Sequence, residues 1–319
     1  MKNKILSAFL FILPVFVFSQ SAEEKGLSTI IGYDAKRFIT ILASDSLEGR
    51  KGGEPGGLKA AEYIRAELKS MGVKPWKKDY FQPFTSTSLR ATSNEMRNVL
   101  GYIRGKNAYE VVMVGAHYDH LGIRKTPVDN DSIFNGADDN ASGVAAVLQV
   151  AKAFMASGQQ PGRTIIFGFW DGEEMGLLGS YHFVDDYFKN IPVPLTAAPE
   201  IKAYINCDMV GRNKDDNTKH VIAYYSPAKE IFRTWINDDI EDYNLNLEPE
   251  FRSMDNQNGG SDHMPFMSEG VPIIFYHTDL HKDYHKLTDH ADKINFGKVT
   301  EIAKAIFLNM WHMANEDIW

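Results

Sequence analysis

Two runs of the chain are apolar at almost every position, EVVMVGA at 110–116 and TIIFGFW at 164–170. Nothing else restricts the fold as much. A strand with one wet face alternates, whereas a run that stays apolar is covered on both faces, as in a parallel sheet packed between helices. NVLGYIRG at 98–105 reads as a neighbouring strand, and further strands are expected at 201–207, 220–225 and 271–277. Between them lie stretches with apolar residues three and four apart, at 33–44, 56–72 and 143–158. The last of these carries its stripe through Val144, Val147, Leu148, Ala151 and Phe154. A final helix is expected over 296–314. Strands interleaved with helices predict an α/β sandwich with a central, mostly parallel sheet. DSLEGRKGGEPGG at 45–57 is too rich in glycine for anything but a loop. Only 45 residues separate Gly72 from His117, too few for an inserted domain, so residues 20–319 are expected to form one domain.

The first nineteen residues stand apart. Lys2 and Lys4 precede fourteen uncharged residues, ILSAFLFILPVFVF, with a cleavage site offered at 17–19. That is the layout of a signal peptide, too short to span a membrane and interrupted by Pro14. Export to the periplasm or the medium is therefore expected, without a lipid anchor, since no cysteine follows the apolar stretch. Loss of Lys2 and Lys4 moves the formal charge from −8 to −10. So acidic a protein, with no basic run, is not expected to bind nucleic acid or to stay on an anionic membrane. Cys207 is the one cysteine, which rules out an intramolecular disulfide.

In open α/β sheets ligands bind beyond the carboxyl ends of the strands. Strand 111–116 ends in His117 and Asp119, and strand 164–170 in Asp171, Glu173 and Glu174. Strand 203–207 ends in Asp208, the last strand leads to His285, and Asp139 stands where the 143–158 helix begins. Singly each has an ordinary explanation: a surface pair, a solvated turn, an N-cap. Together they gather imidazoles and carboxylates where a pocket should form. Alternation lets Asp119 hydrogen-bond the back of His117 and fix its tautomer. Adjacent glutamates point different ways, so one can bind metal and the other face a substrate. Two imidazoles and three carboxylates are too rich in nitrogen for calcium and lack the thiolates of a structural zinc site. They suit two zinc ions bridged by a carboxylate, with Mn2+ or Co2+ as substitutes.

The segments GAHYDHLG, NGADDNASGVA, FWDGEEMGLLGS, INCDMVGR and YHKLTD resemble, in order, the metal-site motifs of the secreted dizinc aminopeptidases of metallopeptidase family M28. That family also holds glutamate carboxypeptidases and glutaminyl cyclases. LEGRKGGEPGGLKAAEYI is similar to its lead-in, so the resemblance runs from about residue 35 to the end. It implies a three-layer sandwich with a mixed sheet of about eight strands flanked by helices. It also implies that His117, Asp139 and Asp208 hold one zinc, and that Asp139, Glu174 and His285 hold the other. Glu173 would be the general base for hydrolysis of a peptide bond and Asp119 the partner of His117. The implied activity is that of an aminopeptidase. A carboxypeptidase or dipeptidase is the first alternative, then a glutaminyl cyclase, which works with one zinc, and last a non-catalytic peptide-binding relative.

Other residues carry weaker expectations. Ser261, Asp262 and His263 are consecutive and cannot form a triad, so they are expected to line or support the pocket. Asp138 is read as a local hydrogen-bonder. His120, His277, His281 and His290 are read as supporting or surface residues rather than ligands, and Cys207 as core. Met209 and Tyr284 are candidates for shaping the pocket. No protease-associated insert is visible, and the pocket is expected to be shaped by local loops such as 122–135.

Overall fold

The apolar runs form the middle of one mixed sheet. The computed structural model describes residues 20–85, 95–189, 198–256 and 260–319, so the expected leader at 1–19 lies outside the described residues. The strands are β1 (Lys74–Pro75), β2 (Phe81–Thr85), β3 (Glu95–Ile103), β4 (Asn107–His117), β5 (Gly122–Val128), β6 (Asp131–Phe134), β7 (Arg163–Trp170), β8 (Glu200–Cys207), β9 (His220–Tyr225), β10 (Glu248–Ser253) and β11 (Ile273–His277). The helices are α1 (Ala22–Leu27), α2 (Gly32–Leu42), α3 (Pro55–Ser70), α4 (Gly143–Ser157), α5 (Leu178–Lys189), α6 (Ile231–Asp242), α7 (His263–Ser268) and α8 (Phe296–Asn315).

Nine strands make the sheet, in the order β1-β3-β7-β4-β8-β11-β9-β10, with β2 also paired to β3. Its centre, β7-β4-β8-β11, is parallel throughout. Antiparallel pairs flank it, β3 on β7 and β9 on β11. Every residue of β7 is buried, the state its unbroken apolar run predicts. Alternate side chains serve opposite layers. Ile165, Phe167 and Phe169 pack with α2, α3, α4 and α8, while Ile166 and Trp170 pack with Phe183 of α5 and Phe266 of α7. The Trp170 indole lies flat across Gly168, where a Cβ would come within 2.3 Å of the ring. Glycine in the middle of this strand is therefore the space the indole occupies.

Two segments differ from expectation. The loop expected at 122–135 is a hairpin, β5 and β6, closed by Asp129 and Asn130. Both turn residues have positive φ, 51° and 65°, a conformation that Asp and Asn tolerate in two-residue hairpin loops. β10, EPEFRS, runs parallel to β9 at the sheet margin, where the missing N–H of Pro249 is tolerated.

Candidate metal centre

β4, β7 and β8 end side by side, and their ends carry the candidate residues. β4 ends at His117, and β7 runs into Asp171 and a left-handed Gly172 (φ 72°) that turns the chain into Glu173 and Glu174. Asp208 follows β8 directly, and the loop after β11 brings His285 over the same spot. Asp139 does not cap α4. It sits with non-helical dihedrals inside a wide turn, Ala137–Ser142, that precedes the helix.

His117 Nε2 lies 3.3 Å from Asp139 Oδ1 and 3.4 Å from Asp208 Oδ1. Across the bridge, His285 Nε2 lies 3.2 Å from Asp139 Oδ2 and 3.1 Å from Glu174 Oε2. Asp139 thus offers one oxygen to each triplet. Donors 2.0–2.1 Å from a tetrahedral ion lie about 3.3–3.4 Å from one another, so these four contacts have the spacing of zinc ligands. Asp208 shows what is left for an ion. Its Oδ2 accepts from the Ser261 hydroxyl at 2.7 Å, while its buried Oδ1 has no hydrogen-bond partner among the described residues. The residues present fit the pair of ions expected from the sequence.

Glu173 shares the cluster with His117 and Asp208, their donor atoms all within 4.8 Å of one another, and also lines the pocket. Burial pushes its carboxyl well above the usual carboxylate range, with Asp262, Asp208 and Glu174 adding to the rise against His117. Asp139 goes the other way. Burial opposes its charge, but His120, His117 and His285 hold it well below the usual range. His285, although partly desolvated, is raised to about 10 by its hydrogen bonds to Asp139 and Glu174.

Asp119 stands behind His117, as strand alternation suggests, and its carboxylate interacts with the imidazole. Its Oδ1 is 3.6 Å from His117 Nδ1, whereas its backbone carbonyl is nearer, at 3.2 Å. Its carboxylate also accepts from the backbone N–H groups of Glu173 and Glu174, at 3.0 and 3.3 Å. Asp119 therefore fixes the glutamate pair. Asp171, the third carboxylate of the run, is no part of the centre. It is buried, accepts from the Arg97 N–H at 3.1 Å, and is pushed up to about 7 by burial and by Asp119.

Three supporting residues carry no assigned role in the sequence reading. Arg50, from the glycine-rich loop, is buried and donates to four carbonyls: Tyr118 and Gly136 at 2.8 Å, Leu42 and Asn135 at 2.6 Å. Asp289, the last residue of YHKLTD, accepts from the N–H groups of Asp138 and Asp139 at 2.9 and 3.2 Å. Asn206 donates to Ser261, which steadies the hydroxyl on Asp208. Of the other histidines, His277 contacts the Asp208 carbonyl at 2.7 Å and His281 lies 3.2 Å from Asp138, while His290 sits out beside Asp131. Asp262 and His263 are buried behind Ser261, and Cys207 is core.

The centre opens into a cavity of about 670 Å³. Met209, Tyr224, Phe275, Leu280 and Tyr284 supply its apolar wall, and Arg252, Ser253 and Asp279 its polar one. Tyr284 stacks on His285 with ring centres 3.8 Å apart.

The family model described as Peptidase family M28 matches residues 98–310. Leupeptin-inactivating enzyme 1 of Streptomyces exfoliatus is 28% identical over 257 residues, 80% of this chain and 50% of that protein. A probable glutamate carboxypeptidase of Arthroderma benhamiae is also 28% identical, over 73% of this chain and 32% of its own length. The chain thus spans half or less of these relatives. Among solved structures, the LapA aminopeptidase of Legionella pneumophila has the same fold, with a TM-score of 0.73 at 20% identity over 98% of this chain and 80% of that one.

Proposed function

Because the chain belongs to peptidase family M28, we propose that it is an exported exopeptidase that holds two zinc ions and removes residues from peptide N-termini. The observation that carries this proposal is the pair of donor triplets sharing Asp139, with Glu173 beside them and facing the cavity. When bound, the ions supply Lewis acidity, which polarises a peptide carbonyl and lowers the pKa of water. His117, Asp139 and Asp208 would hold one, and Asp139, Glu174 and His285 the other. Glu173 takes a proton from the attacking water and returns it to the leaving amine. Asp119, by binding the N–H groups of both glutamates, keeps Glu173 aimed at the cavity and Glu174 at the centre. Tyr284, Met209 and Phe275 exclude water from one side of the scissile bond.

The charge of the cavity supports a free ammonium over a carboxylate as the recognised terminus. Asp279 adds to the carboxylates of the centre, and the guanidinium that lines the wall among the described residues, that of Arg252, is already occupied by Glu250 at 2.7 and 2.6 Å. A carboxypeptidase would want that guanidinium free. Export rests on the leader pattern; among the described residues no helix is long and apolar enough to cross a membrane.

The test is mass spectrometry of a defined peptide mixture incubated with the zinc-loaded protein. The mixture holds free and acetylated N-termini, amidated C-termini and one N-terminal glutamine. Stepwise loss from free N-termini alone is expected. Trimming from the C-terminus, or ammonia loss from the glutamine peptide, would overturn the choice of substrate. An unchanged mixture would overturn hydrolysis itself.

A further inference from the structure

His120 lies in GAHYDHLG three positions after His117, and it is not among the ligands that the motif implies. Its ring is fully buried, and it forms a cluster with Asp139 and Glu174 whose donor atoms lie within 4.8 Å of one another, so it is either a ligand or a partner of ligands. Nδ1 is 2.7 Å from Glu174 Oε1 and 3.8 Å from Asp139 Oδ2, and the ring meets that of His285 edge-on at 5.9 Å. Two donors on one tetrahedral ion stand about 3.3 Å apart, so a 2.7 Å contact is a hydrogen bond and not shared ligation. A carboxylate only accepts, so Nδ1 carries the proton.

We propose that His120 is a positioning residue for the second ion, locking Glu174 to present Oε2 alone and so setting that ion's affinity. The proposal rests on the two-ion reading above. Glu174 has two oxygens and two neighbours: Oε1 is held by His120, and Oε2 faces His285 and Asp139. Without the Nδ1 donor the carboxylate is free to rotate, and the ion pays for its ordering. The ring itself cannot turn away. The His120 backbone N–H donates to the Arg50 carbonyl at 3.2 Å, which fixes its Cα. Gly136, with φ 55°, lies against the ring so closely that a Cβ there would come within 2.5 Å of Cδ2. Phe134 closes a further side, edge-on at 6.5 Å. Packing thus sets the direction of Nδ1, and Nε2, buried and without a partner among the described residues, does not compete for it.

The test compares His120→Asn with His120→Gln. Both are polar amides, but only Asn places its nitrogen where Nδ1 stands; that of Gln falls nearer Nε2. Zinc is titrated against a chromophoric chelator to obtain both dissociation constants, and the visible spectrum of the cobalt-loaded protein reports coordination at each site. Unfolding of the ion-free variants is followed in parallel. Wild type is expected to bind two ions. His120→Asn should keep both affinities, while His120→Gln should lose about 10–100-fold at the second site only, the range seen when partners of metal ligands are removed. An unchanged second affinity in His120→Gln would overturn the proposal, as would equal losses in both variants. So would a cobalt spectrum that loses a nitrogen ligand in both, since His120 would then be bound directly. A wild type that takes up fewer than two ions fails differently, and takes the two-ion reading with it.

Discussion

Arg50 is the side chain on which the centre hangs, and Arg50→Met tests it. The variant keeps the length of the stem and removes the guanidinium. Three buried carbonyls, on Leu42, Tyr118 and Asn135, then lose their donor, while that of Gly136 keeps the Ala141 N–H at 3.3 Å. An unpaired buried acceptor costs about 1–3 kcal/mol, which gives a gross loss of about 3–9 kcal/mol. Against this, a buried cation need no longer be desolvated, a gain of several kcal/mol. That burden is visible in Arg50 itself. Burial pulls its pKa down to about 10, against the attraction of Asp139, Asp119, Asp289 and Glu174, and it still leaves the group charged at neutral pH. The net expectation is a destabilisation of about 3–5 kcal/mol, the usual cost of breaking one side of a buried charge network. For about 300 residues, at about 2.1 cal/mol/K of unfolding entropy each, that lowers the melting temperature by about 5–8 °C. Urea and thermal unfolding of wild type, Arg50→Met and Arg50→Lys, each free of metal, would measure it. Arg50→Lys should fall between them, because one ammonium cannot span four carbonyls. If Arg50→Met lay within about 1 kcal/mol of wild type, the assignment of Arg50 as the anchor of these segments would be refuted.

Glu173→Gln should keep its metal, measured by elemental analysis, and lose about 10²–10⁴-fold in turnover; near-normal turnover would remove Glu173 as the base. Chelation should lower the unfolding midpoint and zinc should restore it, by about 2.7 kcal/mol at a free concentration a hundred times the dissociation constant. A midpoint indifferent to zinc would argue against a site coupled to folding. Burial opposes the charge on His312, but its hydrogen bond to Asp239 raises its pKa from 6.5 to about 9. A folded pKa above the unfolded one means that its stabilisation is complete below pH 6.5 and is lost as the pH rises through 9. The loss is at most about 3 kcal/mol, reduced because Asp239 is itself raised by burial. Denaturation of wild type and His312→Gln at pH 6.5 and 10 would show it, and equal slopes would contradict it. Cys207 is buried and its thiol pushed up by burial, so it should resist iodoacetamide until the protein unfolds.

What could be read from the sequence was local. The run at 164–170 specifies a strand covered on both faces with no further information, because each of its residues meets the same environment. The candidate ligands were legible because they stand where such runs stop. The interactions that hold them were not. Arg50 reaches carbonyls 8, 68, 85 and 86 positions away, a relation that no periodicity encodes. Alternation put the Asp119 carboxylate behind His117, where it lies, but gave no sign that it also accepts from the N–H groups of Glu173 and Glu174, because those belong to the turn after another strand. The 122–134 hairpin has no buried face to generate a pattern, so in the sequence it reads as a loop. β10 escaped notice for a related reason, since a marginal strand with Pro249 need not look like a strand at all.

Tyr224, Arg252 and Ser253 enter the cavity from β9 and β10, the strands farthest from β7 along the sheet. The donor atoms come from the ends of β4, β7 and β8 and from turns tied to Arg50 and Asp289. Under the proposed function, chemistry and choice of substrate are therefore written on different stretches of the chain. The margin can be rewritten, residue by residue, while the donor cluster keeps its shape.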